Sequence, residues 1–102
     1  MNLSAKIRSC TLPQIKGNYF EYLRDEEGNM VFDEEGGNTI VGCCAVGAIR
    51  VAQHMDPFIP AIFKICPHCN ERNAIESVII HLNDHSKWTF AQIADWLEGQ
   101  GL

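Results

Sequence analysis

Long apolar runs and basic side chains are both scarce in this sequence. No apolar stretch approaches the roughly 18 residues that cross a bilayer. The opening MNLSAKIRSC lacks the apolar segment of a secretory signal. We therefore expect a cytoplasmic protein with no membrane span. In a reducing compartment, its five cysteines indicate metal binding or thiol reactivity more than disulfides.

The shortage of positive charge restricts the partners that we expect. Eight Lys and Arg residues stand against thirteen Asp and Glu, and residues 1–37 and 38–102 are both acidic. Because nucleic-acid affinity depends largely on cationic side chains at phosphates, this balance argues against a general DNA or RNA binder. A net charge of −5 is compatible with a protein partner, in particular a basic one.

The length of 102 residues predicts one domain over residues 1–102. Its 46% hydrophobic and 21% charged residues are typical of a globular protein. A chain of this size buries only a small core, so a metal that links distant segments would add much to its stability.

Residue patterns predict an α+β fold, in which a β-hairpin packs on a central helix and a pair of C-terminal helices closes the domain. The predicted elements are a short helix over 3–12, a hairpin over 18–33, the central helix over 39–55, a strand over 61–65, and helices that begin after Asn73 and Thr89. The small residues of GCCAVGA keep the central helix thin, so we expect another element to approach it closely.

Four polar residues are predicted to cap these helices: Ser4, Thr39, Asn73 with Glu76 as its box partner, and Thr89. Gln92, three residues after Thr89, completes a second capping box, and Trp88 stands where a hydrophobic staple would begin. Asn83 and Asp84 follow the apolar positions of their helix, and we interpret them as its end.

The strongest indication of a site is the spacing Cys66-x2-Cys69-x11-His81-x3-His85. A Cys-x2-Cys turn supplies two thiolates, and two histidines four positions apart lie on one face of a helix. The spacing predicts a structural zinc held by Cys66, Cys69, His81 and His85. The spacer is one residue short of the usual two-Cys, two-His pattern, and the aromatic residue that packs inside such fingers is missing.

Two alternatives to this ligand set stay open. In the first alternative, zinc binds Cys66 and Cys69 with a different set of partners, drawn from Cys43, Cys10, His54 or His68. Without metal, the two cysteines would be small core residues and the histidines would hydrogen-bond to the backbone.

The pair Cys43-Cys44 suggests a different chemistry. Cys44 falls on the apolar face of the predicted central helix and indicates packing. Cys43 falls on the polar arc beside Arg50 in the first helical turn, where the dipole and the cation would lower the pKa of its thiol. A nucleophilic Cys43 with a histidine base would make this a cysteine-dependent enzyme.

The two C-terminal helices raise a further alternative, a helix-turn-helix DNA-binding regulator. Their connection is longer than the usual turn of that motif. The second helix, TFAQIADWLEGQ, presents Gln92, Asp95 and Glu98 and has no basic residue, although recognition helices normally have phosphate contacts nearby.

Three stretches of the chain resemble a group of small uncharacterised proteins from phages and bacteria. LSAKIR resembles their LSEAIR-type opening and GCCAVGA their CALGA helix. HLNDHSKWTFAQIADWLE matches their long HLND-x-x-x-W-S/T-x-x-x-I-A-D-W pattern. The resemblance implies one fold and a phage or bacterial origin, and it places Cys44 at the usual cysteine position. The resemblance implies no activity. Because the sequence shows no convincing catalytic set and no basic face, we expect a small non-enzymatic accessory protein that acts as a protein-interaction module and is stabilised by structural zinc.

Overall fold

The computed structural model describes residues 2–32, 34–37, 39–52 and 59–102. Within these residues, four helices and two pairs of antiparallel strands confirm the predicted α+β class. The elements are α1 (Leu3–Arg8), β1 (Phe20–Tyr22), β2 (Ile40–Cys43), α2 (Ala45–Ala52), β3 (Phe63–Ile65), β4 (Arg72–Ala74), α3 (Ile75–Asp84) and α4 (Phe90–Gly99).

Helix α1 is shorter than predicted and begins two positions earlier than a Ser4 cap would allow. The side chain of Asn2 accepts a hydrogen bond from the backbone N–H of Ala5 at 2.8 Å and caps the helix. Ser4 is buried and donates its hydroxyl to Asn2 at 2.9 Å. The prediction failed because Asn and Ser are comparable caps, so composition does not choose between neighbouring positions.

Strand β1 pairs with β2, and not with the return strand of the predicted hairpin. Phe20 lies opposite Cys43 in the antiparallel register. Within the described part of the 18–33 stretch, the hairpin is reduced to a turn and a single bridge between Arg24 and Met30; Asp33 lies outside the described residues. The turn is local, since Asp25 accepts the N–H of Asn29 at 2.9 Å.

The predicted central helix over 39–55 divides into strand β2 and the shorter helix α2, so Thr39 caps no helix. Ile40 and Val41 are β-branched residues, which favour strands. The N–H of Leu23 donates to the carbonyl of Thr39 at 2.8 Å, which holds this region to the strand before it. Gln53, His54 and Met55 lie outside the described residues.

Helix α2 is approached closely, as its small residues predict. A Cβ added at Gly47 would lie 2.1 Å from the backbone oxygen of Tyr19. This distance is far below van der Waals contact, so only glycine permits the segment before β1 to pass over the helix at this position.

Strand β3 confirms the strand predicted over 61–65, and it pairs with β4 in the register Lys64 opposite Asn73. Asn73 therefore belongs to a strand and does not cap α3. The cap position is Ala74, which has no side-chain hydrogen bond. The tight turn between β3 and β4 draws the chain into this pairing, which the Asn73–Glu76 spacing does not reveal.

Helix α4 begins as predicted. The Thr89 side chain accepts the N–H of Gln92 at 3.2 Å, and the Gln92 side chain accepts the N–H of Thr89 at 2.9 Å. Trp88 packs against the core cluster that contains the fully buried Ile93. Arg8 binds Asp95 and Glu98 at 2.7 and 2.8 Å and links α1 to α4 on the surface.

All four helices contribute side chains to one core. Its fully buried aliphatic members are Ile7, Val46, Ile49, Ile75, Val78, Ile79, Leu82, Ile93 and Leu97. At roughly 1.5–3 kcal/mol for each large side chain, their burial is the main favourable contribution to folding.

Asn83 is a buried polar residue, 1% exposed, among these aliphatic side chains. Its Oδ1 accepts the backbone N–H of Ala45 at 3.0 Å and the side-chain amide of Gln14 at 2.8 Å. Its Nδ2 donates to the carbonyl of Ile15 and to Asp84, both at 2.8 Å. Asn83 therefore caps the first residue of α2 from the end of α3 and fixes the 14–15 segment beside both.

Candidate metal centre

Three of the four predicted zinc ligands come together in the structure. The ligand atoms of Cys66, Cys69 and His81 all lie within 4.8 Å of one another. Nδ1 of His81 is 3.8 Å from Sγ of Cys66 and 3.9 Å from Sγ of Cys69. Three soft or borderline donors thus converge on one point.

The two cysteines are positioned by the turn between β3 and β4. Cys66 directly follows β3, and its backbone closes the turn on both sides. Its N–H donates to the carbonyl of Glu71 at 2.9 Å, and its carbonyl accepts the N–H of Asn70 at 2.8 Å. Asn70 has a φ of 59°, the left-handed conformation that Asn tolerates better than most residues. This turn directs both thiols towards α3, from which His81 projects.

The spacing of the donors fits zinc. With Zn–S bonds of about 2.3 Å and a Zn–N bond of about 2.0–2.1 Å, a tetrahedral ion separates sulfur from nitrogen by about 3.6 Å. The observed 3.8 and 3.9 Å are close to this separation. Small side-chain movements would complete the contacts with an ion.

Burial and hydrogen bonding also suit a thiolate site. Cys66 is fully buried, whereas Cys69 and His81 are half-buried, so the centre lies at the edge of the core. The side-chain amide of Asn73 donates to Sγ of Cys69 at 3.3 Å. A donor of this kind stabilises negative charge on sulfur and holds the ligand in place. Asn73, predicted as a helix cap, is thus a supporting residue of the site.

The predicted fourth ligand, His85, lies beside the centre but outside the converging trio. It is exposed at the C-cap of α3, and its ring centroid is 5.8 Å from that of His81. His68 is equally near, with its ring 6.0 Å from His81 and stacked on His85 at 5.8 Å. His68 also contacts the hydroxyl of Ser86. Two exposed imidazoles therefore border the open side of the centre.

The other alternative ligands are Cys10, Cys43 and His54, and the structure brings none of the described ones to the centre. Sγ of Cys10 is 3.4 Å from Sγ of Cys43, and this pair is separate from the Cys66 group. His54 lies outside the described residues. Among the residues that the structure describes, the trio is the one group of three or more metal-ligating side chains that converges in this way.

The prediction of a lowered pKa at Cys43 is wrong. Cys43 is the last residue of strand β2, where it is fully buried, so it does not lie on the polar arc of a helix. Burial, followed by the hydrogen bond and charge interaction with Cys10, raises the pKa of Cys43 to about 12. A thiol in this environment is protonated near neutral pH, the opposite of an activated nucleophile.

Cys44 packs in the core, as its place in the apolar pattern predicts. Its Sγ accepts the N–H of Gly47 at 3.4 Å, and burial raises the pKa of the thiol. It lines a hollow of about 340 Å³ together with Tyr19 and Asp84. No histidine is found among the described residues that line this hollow.

In the described ranges, no helix combines the length and apolarity that a bilayer crossing requires. The residues of α4 include no Lys or Arg, and Asp95 and Glu98 are exposed beside Arg8.

Comparison with protein-family models, with curated proteins and with solved structures gave no match to this chain.

Proposed function

We propose that this protein is a small, non-enzymatic accessory protein of phage or bacterial origin that binds another protein and is stabilised by one structural zinc. The observation that carries the proposal is the convergence of Cys66, Cys69 and His81 at zinc-compatible distances. His85 supplies the fourth donor by a side-chain rotation at the exposed end of α3.

The zinc is structural in this proposal because its ligands connect two separate parts of the fold. The turn after β3 carries both cysteines, and α3 carries the histidine. A bound ion would join the β3–β4 pair to the core helix. Structural zinc sites bind with about 10–16 kcal/mol, comparable with a total stability of about 5–15 kcal/mol. Removal of zinc would then unfold much of the domain.

An interaction role is supported by the charge and by the thiol chemistry. The described chain exposes acidic side chains around the 25–28 turn, and a net charge of −5 favours a basic protein surface over nucleic acid. The protonated state of Cys43 argues against the cysteine-enzyme alternative. Duplex DNA should cause no mobility shift, even at low salt.

The metal part of the proposal is tested with a series of ligand variants. Zinc affinity is measured by competition with a chromophoric chelator for wild type, Cys66→Ser, His81→Ala, His85→Ala and His68→Ala. We expect Cys66→Ser and His81→Ala to abolish tight binding, and His85→Ala to weaken it about 10- to 100-fold or more.

The matched control is His68→Ala, because His68 is the other exposed imidazole beside the centre and its ring stacks on that of His85. Its affinity should equal that of wild type. If His68→Ala loses affinity and His85→Ala does not, His85 is the wrong fourth ligand. If none of the five proteins binds zinc tightly, the structural-zinc proposal fails.

The interaction part is tested with zinc-loaded protein. Chemical crosslinking in a bacterial extract should yield a defined protein partner whose capture is reduced by Glu26→Lys and Glu27→Lys, which are exposed substitutions in a turn that supplies no zinc ligand. A catalytic turnover that depends on Cys43 would contradict the non-enzymatic proposal.

A further inference from the structure

Two thiols outside the metal centre lie against each other. Cys10, just beyond α1, and Cys43, at the end of β2, place their Sγ atoms 3.4 Å apart. All five cysteines are free thiols in this structure. Thirty-three positions separate the pair in sequence, so the contact depends on the fold and not on local chain geometry.

The backbone around Cys43 holds this contact in place. The N–H of Cys43 donates to the carbonyl of Pro13, and its carbonyl accepts the N–H of Ile15, both at 3.0 Å. Cys10 is held from the other side, since its own N–H donates to the carbonyl of Ile7 at 3.1 Å. The segment from Cys10 to Ile15 is therefore held by backbone hydrogen bonds at both ends, to α1 at one end and to Cys43 at the other.

The two thiols differ in access to solvent. Cys43 is fully buried, whereas Cys10 is half-buried at the end of a short helix. A dissolved reagent reaches Cys10 first, and Cys43 then lies within reach of any adduct formed there. This asymmetry is typical of a pair in which one cysteine attacks and a second resolves.

We propose that Cys10 and Cys43 form a thiol–disulfide modification site, which closes to an intramolecular disulfide on exposure to a small disulfide such as oxidised glutathione. The Cys10 thiolate attacks one sulfur of glutathione disulfide, breaks its S–S bond and releases one glutathione thiolate. Cys43 loses its proton to solvent and attacks the Cys10 sulfur, which releases the second glutathione. Two protein thiols are oxidised, and one glutathione disulfide is reduced to two thiols.

The closure needs little rearrangement. A disulfide bond is about 2.05 Å long, so the sulfurs must approach by roughly 1.4 Å from their present contact. Rotation of the half-buried Cys10 side chain supplies this movement, while Cys43 stays in β2. The second step should be slow near neutral pH, because burial holds the pKa of Cys43 at about 12 and leaves little thiolate.

The bond would join the segment after α1 to the end of β2 and enclose β1 together with the acidic turn. Cross-links across loops of this length raise Tm by roughly 10–20 °C when the native geometry accepts them. The oxidised protein should therefore hold the 10–43 region more firmly than the reduced protein.

The experiment uses the full chain, freshly reduced and zinc-loaded, incubated with a series of reduced-to-oxidised glutathione ratios. Remaining thiols are alkylated, and the protein is analysed by intact mass and non-reducing peptide mapping. We expect a product about 2 Da lighter than the reduced protein before alkylation, with a single Cys10–Cys43 linked peptide.

Three variants test the order of steps. Cys43→Ser should stop at a glutathione adduct on Cys10, and Cys10→Ser should form neither the adduct nor the disulfide. Cys44→Ser, which changes the neighbouring buried thiol, should oxidise like wild type. Peptide mapping of wild type is sufficient if a variant does not fold.

Three results would overturn the proposal. They are a glutathione adduct on wild-type Cys10 that persists even in alkaline buffer, where more Cys43 thiolate forms, a disulfide that links Cys10 to Cys44, or no reaction at Cys10 under oxidising ratios. Oxidation at Cys66 and Cys69 would instead report on the metal centre, so the two proposals fail independently.

Discussion

Asn83→Leu should cost about 3–5 kcal/mol of folding free energy, although Leu is similar in size and apolar like its surroundings. The substitution removes four hydrogen bonds. It leaves the N–H of Ala45 and the carbonyl of Ile15 without their Asn83 partners. A buried backbone group without a partner costs about 1–3 kcal/mol. Gln14 loses less, because it also donates to the carbonyl of Trp88 at 2.7 Å.

Urea denaturation followed by circular dichroism measures this cost at constant zinc. The control is Asn18→Leu, because Asn18 is exposed and the change should alter stability by less than about 0.5 kcal/mol. A loss below about 1 kcal/mol for Asn83→Leu would refute the reasoning that Asn83 holds α2, α3 and the 14–15 segment together.

Four other perturbations have results that follow from the structure. Gly47→Ala should cost at least about 2 kcal/mol in urea denaturation, because its Cβ would lie 2.1 Å from the Tyr19 oxygen. Gly99→Ala, which has no atom within 4 Å of its Cβ, should be neutral or gain up to about 1 kcal/mol. Thr89→Ala should cost about 1 kcal/mol through the lost capping box, measured in the same way. The raised pKa of Cys43 means that the native state keeps a proton which the unfolded chain loses above about pH 8.5. Stability should therefore fall between about pH 9 and 12, by up to about 1.4 kcal/mol per pH unit, and Cys43→Ser should flatten that part of the denaturation profile. An equal slope in Cys43→Ser would contradict the burial of the thiol.

The elements that local sequence determines were predicted well. Helix α4 was placed correctly because its capping box and apolar repeat lie within one short stretch. Strand β3 and the Cys66–Cys69 turn follow for the same reason. In each case the residues that decide the structure are close neighbours in the sequence, so a short local pattern includes all the interacting residues.

The elements that depend on distant partners were predicted poorly. The stretch of residues 40–43 has a helical apolar pattern, yet it forms β2 because β1 pairs with it across the chain. Cys43 was placed on the wrong surface for this reason, and its pKa was predicted to shift in the wrong direction. Asn83 looked like a helix end, and α3 does end beside it. Its partners Gln14, Ile15 and Ala45 lie at least 38 positions away, so no local pattern indicates them.

The candidate metal centre depends on both local spacing and contacts between distant segments. The Cys-x2-Cys spacing and His81 were identified from sequence because ligand types and spacings are specific. The choice between His85 and His68 was not decided by spacing, since it depends on how the β3–β4 turn faces the end of α3. The role of Asn73 at Cys69 also follows from strand pairing, which its sequence context did not predict.

Native mass spectrometry of freshly purified protein, combined with elemental analysis, tests directly whether the Cys66, Cys69 and His81 centre holds a structural zinc. We predict one zinc per chain, retained without chelator, absent from Cys66→Ser and His81→Ala, and required for the folded circular dichroism spectrum. A folded wild-type protein that carries no zinc, and whose stability is unchanged by chelator, would contradict it.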